Sequence, residues 1–245
     1  MNTVAIVATA GRVLSQLRHD HRTLAMLLLV PCLLLGLLRW VFANQVQTFN
    51  VIGPLLLVLF PFITMFIVTS IATLRERTQG TLERLLTMPI GKFDFLAGYA
   101  IGFGLVAIVQ ASLASWVAIG LLDMQVQGEM WLVVAVAVAN ALLGMALGLL
   151  VSAFARTEFQ AVQFLPAIVF PQLLLCGLII PRENLDRPLE LISNVLPLSY
   201  AVDAIKHVTT SSEITGTFVS DLAIVVGCIL LALVLGAATL RRRTT

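Results

Sequence analysis

The sequence has 245 residues, 59% of them apolar and only 11% charged, whereas a soluble domain is nearer half apolar and a quarter charged. An ordinary soluble enzyme is therefore excluded, as are disordered and fibrous chains. The balance of 15 basic against 13 acidic residues argues against a nucleic-acid binder, and three cysteines inside apolar runs (Cys32, Cys176, Cys228) support neither a disulfide framework nor a metal site.

Taken in chain order, residues 3–20 read as an amphipathic helix. Ile6, Ala10, Val13, Leu14 and Leu17 fall on one side at helical spacing, and Arg12, Gln16 and His19 on the other. Such a helix lies in the headgroup plane with its basic face towards anionic lipid, as a short anchor or as a lever between the membrane and a partner. A helix needs about 20 mostly apolar residues to cross the bilayer. Six stretches qualify, at residues 24–42, 51–74, 95–122, 130–155, 159–180 and 218–240. The first is no cleaved signal sequence, because it ends in Arg39-Trp40 rather than at small residues. No segment alternates as a barrel strand does. The predicted fold class is an all-α membrane protein with six transmembrane helices. Residues 1–23 form its amphipathic lead, 24–240 a single transmembrane domain and 241–245 a basic tail.

The connection after the second span runs Arg75-Glu76-Arg77-Thr78-Gln79-Gly80-Thr81-Leu82-Glu83-Arg84-Leu85-Leu86-Thr87-Met88-Pro89. Gly80 breaks the helix leaving the membrane, and Thr81 can cap a new short one with Glu83 in its first turn. Leu82, Leu85 and Leu86 then share a face, and Pro89 ends the helix. An isolated helix of two turns is unstable in water, so headgroups, neighbouring spans or a partner protein must cover that apolar face.

The spans carry small residues, Gly98, Gly102 and Gly104 in the third and Gly144 and Gly148 in the fourth, that let helices approach closely. Pro54, Pro61, Pro166 and Pro171 kink spans two and five. Phe60, Thr64 and Phe66 of span two and Gln163, Phe170 and Gln172 of span five suit either helix packing or a path for an amphipathic substrate. The outer connection, residues 181–217, has an apolar middle punctuated by Pro188 and Pro197. It is too short to cross and reads as a re-entrant segment or a packed cap.

Lys and Arg fix the expected orientation. Eleven lie on one side (Arg12, Arg18, Arg22, Arg75, Arg77, Arg84, Lys92, Arg156 and Arg241 to Arg243) and three on the other (Arg182, Arg187, Lys206), so both termini should face the cytoplasm. Arg39, near a span end, is expected to snorkel outward. No P-loop, HExxH, CxxC or GxSxG pattern occurs. Mid-span acids are absent too, which removes the usual machinery of an ion-driven carrier. Ser199, Asp203 and His207 share one helical face and are the only close grouping that a membrane-embedded lipid enzyme could use.

Arg75-Glu76-Arg77-x-x-Gly80-Thr81-Leu82-Glu83-Arg84-Leu85-Leu86-x-x-Pro89 resembles the cytoplasmic signature of the type-2 ABC transporter permeases, a group that includes bacterial exporters of drugs, antibiotics, polysaccharides and lipids. The stretch 196–205, with Pro197, Tyr200 and Asp203, resembles the segment that family carries before its last span. Lys206-His207 stands where an Arg is frequent there. The resemblance implies a permease in the plasma membrane that is not itself an enzyme and holds no cofactor or metal. ATP and Mg would belong to a separate P-loop ATPase, and a second permease copy or a related permease would complete a dimer. It also implies that residues 81–88 are a coupling helix, that residues 1–23 are a connecting helix, and that spans two and five line the path. The outer segment with Pro197 and Tyr200 would close the exit. A non-transporting anchor or sensor subunit for an ATPase is the alternative.

Overall fold

The apolar runs become six helices long and apolar enough to cross a membrane in the computed structural model, which describes residues 3–78, 91–178 and 180–239. α1 (Thr3–His19) leads into α2 (His21–Val41), followed by α3 (Val46–Thr78), α4 (Lys92–Trp116), α5 (Met130–Val151) and α6 (Glu158–Leu175). A 3-10 turn at Arg182–Asn184, α7 (Arg187–Ser193) and α8 (Pro197–Thr210) then precede α9 (Gly216–Thr239). α3 runs on to Thr78, so Arg75, Glu76 and Arg77 stand on its last turn and not in a loop. α6 stops at Leu175 rather than residue 180, and just beyond it Gly177 adopts φ +82, a left-handed turn open to a residue without a Cβ. α4 continues as a π-turn, Val117–Leu121, before Asp123 reverses the chain at φ 53.

α1 and α2 meet at a single residue, Asp20. Its carboxylate accepts from Thr23 N at 3.1 Å and Thr23 Oγ1 at 2.6 Å, which caps α2. These bonds hold the Asp20 carboxyl below the usual carboxylate range. The cap is therefore complete above that range and is lost as pH falls through the depressed value.

Lipid offers helices little hydrophobic reason to associate, so close contact and interhelical hydrogen bonds must hold them. The most extensive contact among the described residues joins α3 and α5. A Cβ on Gly144 would strike the Phe62 carbonyl, and one on Gly148 would strike Thr69 Oγ1 and the Phe66 carbonyl. Thr69 Oγ1 donates to Met145 O at 3.2 Å across this seam, and the fully buried Asn140 donates to Val58 O at 2.9 Å. Gly98 and Gly102 do the same for α1 on α4. A Cβ on Gly98 would lie 2.5 Å from Thr9 Cβ, and one on Gly102 3.0 Å from Val13. α1 is thus seated on protein along Ile6–Val13, and the expectation of a free basic face is corrected below.

Pro31 cannot donate to the Leu27 carbonyl one turn before it. Gln110 of α4, fully buried, supplies the missing donor at 2.8 Å and also binds the Thr64 hydroxyl of α3, joining three helices. Arg39 does not reach out to solvent alone; its Nε donates to Leu122 O at 3.2 Å and its guanidinium lies 5.5 Å from the Phe49 ring centre. The three tryptophans, Trp40, Trp116 and Trp131, are all exposed at this same end of the bundle, where α2 and α4 finish and α5 starts. That is the position of an interfacial aromatic belt.

Gly148→Ala is expected to lower stability by about 1–3 kcal/mol through overpacking, read from detergent-titrated unfolding of the purified protein. Gly36→Ala, with nothing within 4 Å, should be neutral or slightly stabilising.

Candidate functional site

Arg75, Glu76 and Arg77 close α3 immediately before residues 79–90, and each is held by a different neighbour. Arg75 forks onto Glu158 at the start of α6, with Nε to Oε1 at 2.6 Å and the second nitrogen to Oε2 at 3.0 Å. Such bidentate pairs fix orientation as well as supplying attraction. Glu76 pairs with Arg12 of α1 at 3.2 Å and accepts from Gln16 Nε2 at 3.1 Å. Arg12 in turn donates to the Tyr99 hydroxyl of α4 at 2.7 Å. Arg77 donates to the carbonyl of Ser152, the C-cap of α5, where the helix dipole favours a cation.

The consequence is mechanical. One helical turn is fastened to α1, α5 and α6, and through Arg12 to α4, and the chain leaving it is the segment singled out in the sequence. Arg12 and Gln16, expected on a lipid-facing basic side, point instead to Glu76, because a partly buried carboxylate needs a partner more than the headgroup region needs another arginine. Gly80, Thr81, Leu82, Glu83, Arg84, Leu85, Leu86 and Pro89 lie outside the described residues.

The six residues of the expected path do not form one cluster. Thr64 bonds back to Phe60 O at 2.9 Å and is held by Gln110, while Phe60 is partly buried and Phe66 is fully buried within the chain. Gln172 is buried, donates to Ile168 O at 3.1 Å and accepts from Leu198 N at 3.4 Å, which docks the start of α8 on α6. Gln163 and Phe170 occupy the exposed face of α6.

At the opposite end, Pro197 opens α8 and Tyr200 donates its hydroxyl to Asn194 O at 2.6 Å. Arg182 organises this cap: it bonds Asp203 and Asn194 and lies 5.2 Å from the Tyr200 ring centre. Lys206 bonds the Gly177 carbonyl, and His207 Nε2 lies 3.0 Å from Glu213 O. Ser199 is buried 3.1 Å from Ser193 Oγ. Ser199, Asp203 and His207 are thus each committed to a different partner, and the face they share does not assemble into a nucleophile with its base. Sequence reading missed the roles of Arg182, Lys206 and Tyr99. The available signal was that Arg182 and Lys206 are two of only three basic residues on an acidic side.

A family model described as ABC-2 type transporter matches residues 4–210. Among curated relatives, "ABC transporter G family member 20" of Dictyostelium discoideum is 27% identical over 69% of this chain and 23% of its own length. "Probable multidrug ABC transporter permease YbhR" of Escherichia coli K12 is 31% identical over 63% of this chain and 42% of its own. "Inner membrane transport permease YhhJ" of the same strain is 27% identical over 56% and 37% respectively. The chain spans less than half the length of each of these relatives.

Within the ion-pair cluster, Arg12→Ala and Glu76→Ala should each speed hydrogen exchange in α1 while leaving α9 unchanged. A double-mutant cycle should show coupling of about 1 kcal/mol.

Proposed function

The chain belongs to the ABC-2 type transporter family and is a membrane-spanning ABC transporter subunit; on that premise we propose that it is the permease of an ATP-driven exporter. In this reading it moves an amphipathic drug-like or lipid-like substrate out of the cytoplasm or the inner leaflet by alternating access. The relatives named as multidrug and inner-membrane permeases support the substrate class and the plasma membrane as location. The arginines gathered at the α1 end support cytoplasmic termini. Two permease chains, identical or related, pair in the membrane, each served by a separate P-loop ATPase that binds ATP and Mg.

The observation that carries the reading is the last turn of α3, fastened to α1, α5 and α6 and linked through Arg12 to Tyr99 of α4. Residues 81–88 dock in the ATPase, with Leu82, Leu85 and Leu86 buried and Glu83 and Arg84 setting register at the rim. ATP binding draws the ATPases together and displaces this segment. The displacement reaches α6, α1 and α5 through Arg75, Glu76 and Arg77, and α4 through Arg12. Nucleotide and substrate each favour one of two states, so each shifts the other's binding. Substrate passes along the α3 and α6 side of the bundle, where Phe60, Gln163 and Phe170 remain accessible.

Affinity purification of the tagged chain in mild detergent should retain a P-loop ATPase, identified by mass spectrometry. Leu82→Asp with Leu85→Asp puts carboxylates into an apolar cleft, at about 3 kcal/mol or more each, and should weaken retention at least about a hundredfold. Retention unchanged by that pair would remove the docking role. Reversing Glu83 and Arg84 together should abolish export in a substrate-efflux assay while membrane insertion and ATPase activity persist. A native complex whose ATPase no substrate stimulates would favour the anchor or sensor reading.

A further inference from the structure

A half-open cavity of about 410 Å³ lies at the α1 end, between the last turns of α1, the start of α2, the final third of α3, and α4. Leu17, Ile67, Ile71 and Phe103 give it an apolar floor; Gln16, Asp20, Thr23 and Glu76 give it a polar rim. No residue of α6 lines it, so it is distinct from the path considered above. Its volume falls within the roughly 300–1,000 Å³ of small-molecule pockets, and one apolar wall with a few convergent polar groups is their usual chemistry.

The rim discriminates by charge. Two carboxylates line it, Asp20 and Glu76, against one cation, Arg75. Arg75 is already forked onto Glu158, and Glu76 is balanced by Arg12. Asp20 is exposed, accepts hydrogen bonds from Thr23 and is attracted by Arg75 across the rim; with Glu158 and Arg12 counted beside the lining residues, three carboxylates face two arginines. Those bonds keep its carboxyl ionised at neutral pH. A cationic head above the floor would therefore meet an excess of one carboxylate, whereas an anionic one would meet repulsion from Asp20 and Glu76 and arginines already engaged.

We propose that this cavity binds a drug-sized amphiphile with a cationic head, its apolar body on Ile67, Ile71 and Phe103 and its head against Asp20. The site stands independently of ATPase docking and of transport, so its failure would leave the proposed function untouched.

The test uses the full chain in phosphatidylcholine nanodiscs and two fluorescent probes, dansyl-undecyl-trimethylammonium and dansyl-undecanoate, with binding read by anisotropy. The ammonium probe should bind saturably and more tightly than the carboxylate. Asp20→Asn preserves the cap, since Asn caps as well as Asp. It should weaken the ammonium probe about threefold, the scale of an exposed ion pair, and improve the carboxylate probe. Ile71→Trp fills the floor and should remove saturable binding of both. Equal affinity for the two probes, binding unaltered by Ile71→Trp, or no saturable binding to the native chain would each overturn the proposal. Should Ile71→Trp fail to fold, the head-group preference and its reversal in Asp20→Asn decide alone.

Discussion

The backbone of α5 lies directly against the backbone of α3, and the rest of the arrangement depends on that contact. In lipid, apolar side chains gain little by leaving the solvent, so intimate contact must supply the attraction. Gly144 and Gly148 permit it, and Thr69 and Asn140 stitch it with hydrogen bonds. With one side of α3 so held, its remaining sides receive α2, α4, α6 and α8. α5 becomes the most enclosed span, with 72% of its apolar window inside the protein. α2 and α6 have only 17% each, which leaves their faces for lipid or a second chain.

Charge and neutral polarity are divided by depth. Through the middle of the bundle, amides and hydroxyls make the cross-links: Gln110 with Leu27 and Thr64, Asn140 with Val58, Thr69 with Met145. Among the described residues, ion pairs are confined to the ends, Arg12 with Glu76 and Arg75 with Glu158 at one, Arg182 with Asp203 at the other. A neutral donor can be left in hydrocarbon at moderate cost when it has a partner, whereas a charge demands more.

Much of this was legible in the sequence. Span existence follows from uninterrupted apolar runs, and α1 from its spacing, because both are local properties. The close approach of Gly144 to α3 was suggested by its spacing from Gly148, although which helix it met was not. The ends of elements were less readable: α3 runs through Arg75 to Thr78 because its charged last turn finds partners, and α6 stops early because Gly177 turns the chain. The pairings of Arg12 with Glu76 and Arg182 with Asp203 left no local trace, since they join residues far apart in sequence. Thr64 and Gln172, polar in apolar helices, suit either a path or helix packing by sequence alone. In the structure, the same polarity is used to hold helices together.

The distribution of tryptophan has a consequence for the lipid environment. Trp40, Trp116 and Trp131 sit at one headgroup level, and the sequence has no tryptophan elsewhere. Their amphipathic rings favour the headgroup boundary and so hold that end of the bundle there, whereas Arg12, Arg75 and Arg77 at the other end are already committed to Glu76, Glu158 and the Ser152 carbonyl. When acyl chains lengthen or shorten, the mismatch is met by tilt of the spans or local deformation of the bilayer rather than by those arginines.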